Sequence, residues 1–490
     1  MDEQLIPSSK GPPTVSVGNL LVHSRFDPVG EAARYVATLD VEETIRFFIL
    51  IEPALGYLVG PLKKRFPHAT ILSIHCSTFF LSQVPQIGEI MPADFQWSPA
   101  STVSLSSFLE QHIREDELSG VKVLEWRPSL RAYQEKVLNI LKEVNGFLKI
   151  AYANERTQRA FGLRWFKNAL KNSVFNSPSF MLRRTSQPVL VIGAGPSVEN
   201  QSPGILKFQK EKKGILIAVS SAVQALLEMG VRPDLVVATD GGSWARYHIF
   251  PLLRDAGGRK PIPLVATLTA SLPSQIEGLS VLYGGDGSLW QSMLLHSKER
   301  PVFTLPQRGT VTATAIDLAL WLSSASVFVL GMDLSHRDLQ THVRPYALDW
   351  YVEQGASRFS PQYSMVYERS NRISSGGSLD VYVHWFEQHR DVLQNRVFSF
   401  LPGHPFLPFM DKQADPLPTA TQGDWIDFSA QTKDPWDGVP LRQYFNYILN
   451  DGDNGPVLLK ELNQLLFGSS EGGNQRDVLQ TIDRCLARYE

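Results

Sequence analysis

Cysteine is nearly absent. Cys76 and Cys485 are the only two in 490 residues, which excludes a disulfide scaffold and any cysteine-rich zinc site and fits a reducing compartment. A surplus of one charge is also absent. The 47 Lys and Arg stand against 49 Asp and Glu, a net charge of −2, so nucleic acid is not an expected partner. No run of about 18 apolar residues occurs, and no membrane span is expected. The opening "MDEQLIPSSKGPP" is acidic and polar and lacks the apolar stretch of a signal peptide, so a cytoplasmic protein is expected. No repeat of short period is visible. What remains, 43% hydrophobic and 20% charged residues, is the composition of a globular protein too long for one core, with two or three domains.

The chain is organised around Pro188 to Ser197, "PVLVIGAGPS". A short apolar run stops at Gly193-Ala194-Gly195-Pro196-Ser197. Strand, glycine turn and helix start are how an open α/β sheet presents backbone N–H groups to a phosphate. Pro196 suits a first helical position, and Ser197 can cap or donate a hydroxyl. A purely structural turn is the alternative.

Around it the pattern predicts four segments: an N-terminal α/β domain (1–140), a helical connector (141–187), a central domain (188–400) and a mainly helical C-terminal region (401–490). The fold class is α/β, with a Rossmann-like, largely parallel central sheet. Residues 1–20 read as an irregular lead-in. Asp27-Pro28 reads as a helix start, "TIRFFILIEPALGYLVGPLKKRFP" as strand, turn and helix, and 121–129 as another strand of the same sheet. In the central domain, strands "VLVIG", "ILIAVS", "LVVATD", "IPLVATLT", "LSVLYGG" and "SVFVLGMD" alternate with helices, among them "GTVTATAIDLALWLSS". Ligands of such sheets bind beyond the carboxyl ends of the strands. Those ends carry Gly193–Ser197, Ser220, Thr239-Asp240, Gly284–Asp286 and Gly331–Asp333. Residues 334–380 read as a long irregular loop, 380–395 as helix, and the last fifty residues as three helices.

Several chemistries lack their residues. A dinucleotide site wants a third glycine and an acid closing the second strand. Here Val198 and Val219-Ser220-Ser221 stand in those places. The Gly-Lys-Ser/Thr ending of a P-loop is missing, and so is a Gly-x-Ser-x-Gly elbow. Asp240 and Asp333 each close an apolar strand, so the pair could hold Mg²⁺ on a nucleotide diphosphate. Each could equally cap its own turn, the commoner fate of such an aspartate. Asp333, His336 and His342 form a looser candidate metal cluster, ranked below one of the histidines acting as acid or base.

Five stretches together resemble the motility accessory factor proteins, whose core is shared with 6-hydroxymethylpterin pyrophosphokinase-like proteins. They are "LVHSRFDPVGEAARY", "VLVIGAGPSV", "AVSSAVQALLEMGVRPDLVVATD", "GTVTATAIDLALWL" and "VFVLGMDLS…THVRPYALD". The resemblance implies a flagellin glycosyltransferase that moves a nonulosonic, sialic-acid-like sugar from its CMP-activated form to Ser or Thr, with Mg²⁺ as a possible companion. It also leaves two alternatives: a diphosphokinase acting on a pterin alcohol, and a non-catalytic flagellin-binding factor. A more distant likeness to small bacterial sialyltransferases implies that Gly193, Gly195, Pro196, Ser197, Gly309 and Thr310 hold CMP. Ser220 and Asp240 share that rim. Tyr346 would stabilise the departing phosphate, beside Asp333 and Asp349. Those enzymes place a histidine base in the loop after the tyrosine, but "YERSNR" (367–372) has none. His342, His384 or a carboxylate would have to serve, and His342 is the choice here. Asp27, Pro28, Glu31 and Arg34 are read as structural, contacting the central domain rather than the ligand.

Overall fold

The computed structural model describes residues 3–487 except 43–44, 88–89, 114–117, 119, 175–177, 275, 277, 297–302, 307, 336, 338, 375–385, 387–392, 394, 405–406, 409–424, 429–440 and 469–471. It divides into two compact units, residues 1–158 and 159–490. The expected boundary at 140 falls inside one continuous helix, Gln134–Val174.

The first unit is built on four parallel strands in the order Phe95–Trp97, Thr70–Ile74, Phe47–Ile51, Val121–Glu125. "FFILI" is buried at every position, as expected of a parallel strand covered on both faces. The helix Pro28–Ala37 starts as anticipated. Asp27 caps it by accepting the Gly30 N–H at 2.8 Å, and Pro28 occupies the first turn. Glu31 accepts the Ser24 N–H at 2.7 Å, so these two hydrogen bonds lie within the first unit.

The second unit carries an eight-stranded sheet in which every neighbouring pair is parallel. The order across it is Phe303–Thr304, Val281–Gly285, Leu264–Thr267, Leu235–Ala238, Ile215–Val219, Val189–Ile192, Val327–Leu330, Val397–Ser399. The α/β, Rossmann-like expectation is borne out. From Val189–Ile192 the chain winds outward in one direction to Phe303–Thr304. It then returns on the other side of its starting strand with Val327–Leu330. That reversal sets the carboxyl ends of these two strands side by side, at Gly193 and Gly331, the place where sheets of this kind bind ligands. All four side chains of Val189–Ile192 are fully buried, each contributing about 1.5–3 kcal/mol of hydrophobic stabilisation.

Two sequence expectations are corrected. Residues 1–20 hold a small antiparallel sheet of Glu3–Ile6, Thr14–Val17 and Leu20–Leu21, too short to show a clear alternation. The stretch 334–380 contains two helices, Asp349–Gly355 and Gln362–Ser374. Their exposed aromatic and charged residues hide the apolar period by which a helix is recognised. The helix expected at 380–395 falls almost wholly outside the described residues. The C-terminal helices are Leu441–Leu449, Asn454–Phe467 and Gln475–Leu486.

Candidate active site

The glycine turn is interlocked with the end of the returning strand. The Gly193 N–H donates to the Leu330 carbonyl at 2.7 Å, and the Gly195 N–H to the Gly331 carbonyl at 2.8 Å. Gly331 has φ +74°, and a Cβ there would lie 2.6 Å from the Gly193 carbonyl oxygen. A Cβ on Gly195 would lie 2.3 Å from Asp333 Oδ2. Glycine is therefore required because two backbones touch. The Ser197 N–H donates to Asp333 Oδ2 at 2.8 Å, so a carboxylate of the chain occupies the place where a helix start favours an anion. Pro196 opens the short 3-10 turn Pro196–Gln201 that follows.

A strap, residues 340–349, crosses this corner. The Val343 N–H donates to the Ala194 carbonyl at 2.8 Å, with the Val343 side chain fully buried. Glu199 Oε1 accepts the Arg344 N–H at 3.0 Å and also takes the Gln340 side-chain amide. Asp349 accepts the Tyr346 N–H at 3.2 Å. These contacts hold Tyr346 beside two imidazoles. His342 stacks on it with centroids 4.1 Å apart and planes 15° apart, and the His248 ring lies tilted to it with centroids 5.1 Å apart. The Tyr346 hydroxyl sits 3.4 Å from His248 Nε2. Burial pushes the His248 imidazole down to about 4, against the opposing pull of Asp240, so the ring is neutral near pH 7.

Of the sequence-predicted residues, His342, Tyr346, Pro196, Ser197 and Asp333 line two hollows. One, of about 440 Å³, is lined by His342, Arg344, Tyr346, Asp349, Glu353 and Tyr363 among others. The second, of about 340 Å³, lies against the carboxyl ends of the strands Val327–Leu330 and Val397–Ser399. Pro196, Ser197, Asp333, Arg337 and His404 are on its wall. His404 Nδ1 accepts the Leu407 N–H at 3.1 Å, which leaves Nε2–H to donate to the Met332 carbonyl at 3.1 Å. Burial lowers its proton affinity, against Met332 and Asp333.

Gly309, Thr310, Ser220 and Asp240 line neither hollow. Thr310 caps the helix Val311–Leu322 by accepting the Ala313 N–H at 3.0 Å, and Gly309 before it has φ +78°. Near this cap, Thr312 Oγ1 comes within 2.9 Å of a Cβ built on Gly193, so the helix start does reach the glycine turn. Ser220 is buried at the end of its strand. Asp240 is exposed and accepts the Gly242 N–H at 2.7 Å, closing its own turn. The strands preceding Asp240 and Asp333 stand three steps apart in the sheet, which separates their ends by about 14 Å. The pair does not fit one shared Mg²⁺, whose ligands lie about 2 Å from the ion. Among the described residues no group of three His, Cys, Asp or Glu is placed to hold a metal. His336 and His384 lie outside the described residues.

Sequence reasoning missed His248, Glu199 and His404. His248 ends the short 3-10 turn Ala245–His248, where nothing local marks it, and its partner is 98 residues away. No helix among the described residues is long and apolar enough to cross a membrane.

Comparison with known proteins agrees with this architecture. Residues 163–338 match the family described as 6-hydroxymethylpterin diphosphokinase MptE-like. An uncharacterized protein of Treponema pallidum (strain Nichols) is 28% identical over 291 residues, which is 58% of this chain and 60% of that relative. The solved structure of a Maf glycosyltransferase from Magnetospirillum magneticum AMB-1 superposes with a TM-score of 0.53 at 12% identity. The superposition covers 100% of this chain and 87% of that one. At that identity the likeness is one of fold. The resemblance read from the sequence is thus borne out in both directions, over residues 163–338 for the pterin-kinase-like family and as a shared fold for the motility accessory factor.

Proposed function

We propose that this chain is a cytoplasmic glycosyltransferase that moves a nonulosonic, sialic-acid-like sugar from a CMP-activated donor to Ser or Thr hydroxyls of flagellin, in support of flagellum assembly and motility. The observation that carries the reading is the strap over the strand reversal. It brings Tyr346, Arg344 and His342 to one wall of a 440 Å³ cavity. CMP is a good leaving group, so the protein has three tasks: to orient the donor, to stabilise charge on the departing phosphate, and to take a proton from the acceptor. A phenol and a guanidinium supply the second. For the third, His342 keeps Nδ1 at 3.0 Å from Thr341 Oγ1, and its imidazole is the base assigned here. Asp333 holds the Ser197 N–H and so keeps the helix start in register. No step is assigned to a metal.

The test is intact-mass measurement of flagellin incubated with the purified chain and a CMP-linked nonulosonic acid. Addition of whole sugar residues with release of CMP is expected. An unchanged mass, with no rise in melting temperature on adding CMP, sinks the reading. The match over residues 163–338 favours one second reading, diphosphate transfer from ATP to a pterin alcohol. In that case ATP with Mg²⁺, and not CMP, raises the melting temperature. Flagellin retained by the chain without any gain in mass indicates a binding factor instead.

A further inference from the structure

Among the described residues that line the cavity of about 440 Å³, Arg344 is the only Lys or Arg. Its backbone is anchored. The Arg344 N–H donates to Glu199 Oε1 at 3.0 Å, and two residues on the Tyr346 N–H donates to Asp349 at 3.2 Å. Its side chain is exposed, and the guanidinium makes no ion pair or hydrogen bond among the described residues. The strap's neighbouring carboxylates serve other donors. Glu199 Oε1 also takes the Gln340 side-chain amide, and Asp349 takes the Tyr346 N–H. Arg344 is thus an uncommitted cation rooted at the cavity wall. A guanidinium is always charged and presents five N–H donors in a planar fork that matches the two oxygens of a carboxylate.

A CMP-linked nonulosonic acid carries two anions on one carbon. Its anomeric carbon bears the phosphate oxygen and also a carboxylate, whereas the anomeric carbon of an ordinary activated sugar bears the phosphate alone. Because the two groups share a carbon, one guanidinium fork can span both. Asp349 and Glu353 line the same cavity, so a carboxylate that the guanidinium does not meet would face like charge there. We propose that Arg344 is the specificity-determining residue of this cavity: its guanidinium pairs with the carboxylate on the anomeric carbon and so selects sugar acids over neutral sugars. The inference rests on the reading of the chain as a transferase that uses a CMP-linked nonulosonic acid.

The experiment is a calorimetric titration of the full chain, without acceptor, with two donors: the CMP-linked nonulosonic acid, and the same molecule with its carboxyl group converted to an amide, which keeps the shape and loses the charge. Wild type is expected to bind the amide about tenfold to a hundredfold more weakly than the acid. R344Q binds the acid at least as weakly as wild type binds the amide, and it separates the two donors by less than about threefold. R344K keeps the charge without the fork and falls between. Both variants retain the bond to Glu199, because the backbone N–H makes it. If R344Q weakens both donors by the same factor, Arg344 serves the phosphate alone and the proposal fails. It fails equally if wild type binds acid and amide alike. A wild type that binds neither donor overturns the proposal together with the reading beneath it. Binding that depends on both the carboxylate and Arg344, with no sugar added to flagellin, upholds the proposal and defeats the transfer reading alone.

Discussion

Both units reverse their winding beside their first sheet strand, and in both the corner after that strand holds a carboxylate. In the first unit it is Glu52, immediately after Phe47–Ile51. Its φ is +44°, a left-handed conformation that is rare and costly for a glutamate. Its side chain is wholly buried. Oε1 accepts the Ala54 N–H at 3.2 Å and meets His75 Nδ1 at 3.2 Å, and Oε2 accepts the Cys76 N–H at 2.5 Å. In the second unit the carboxylate is Asp333. It comes from the neighbouring strand, is only partly buried, and stands on the wall of a cavity. Strand-end corners gather N–H groups wherever parallel sheets reverse, and that field favours an anion. Whether a ligand can use the place depends on how the chain's own carboxylate fills it. Glu52 seals its corner, whereas Asp333 leaves space beside it.

Three measurements would break or sharpen this contrast. Removing the sealed carboxylate has the largest expected effect. E52A strands the Ala54 and Cys76 N–H groups and should cost about 4 kcal/mol in urea unfolding. A loss below about 1 kcal/mol would mean that the first corner is not sealed. Next comes acid stability in the second unit. The folded His248 titrates near 4, below its ordinary value of 6.5. Between those values the unfolded chain binds a proton that the folded one does not. The contribution is therefore complete above 6.5 and is lost as the pH falls through about 4, to the extent of about 3 kcal/mol. Unfolding curves of wild type and H248Q from pH 7 to pH 4 should converge, and parallel curves would contradict the burial of this ring. The smallest effect is expected for D333A, about 1 kcal/mol, because water from the adjoining cavity can reach the Ser197 N–H. A loss as large as that of E52A would erase the distinction between the two corners.

Much of the fold could be read from local pattern. "FFILI" and "VLVI" are continuous apolar runs of buried parallel strands, Asp27-Pro28 and Gly309-Thr310 are helix starts with a capping side chain, and Gly193 to Ser197 mark the central turn. The limits of such reading show at the same turn. Its glycines look like room for a ligand, but the atoms that fill that room are the Gly331 carbonyl and the Asp333 carboxylate, contributed by a strand far along the chain. Asp240 and Asp333 look like a pair because both close strands, and only the strand order reveals the two strands between them. Tyr346 was legible through its motif. His248 was not, because a single histidine in "ARYHIF" gains meaning only from a tyrosine that folding brings to it. Glu52 was equally silent, since its left-handed backbone leaves no trace in composition.

The long helix Gln134–Val174 bears on how this protein can be cut. Near its end, Asn168 donates to the Gly241 and Thr269 carbonyls, each at 3.0 Å. Asn172 reaches the Leu268 and Ala270 carbonyls at 2.8 and 2.9 Å, and Lys171 Nζ reaches that of Leu272. Phe166, Ala169 and Leu170 lie in the core of the second unit. A fragment opened at Pro188, where the first central strand begins, would strip five carbonyls of their donors and bare the core beneath them. A fragment opened near residue 159 keeps this splint. The strand that begins the sheet is thus not where the compact second unit begins.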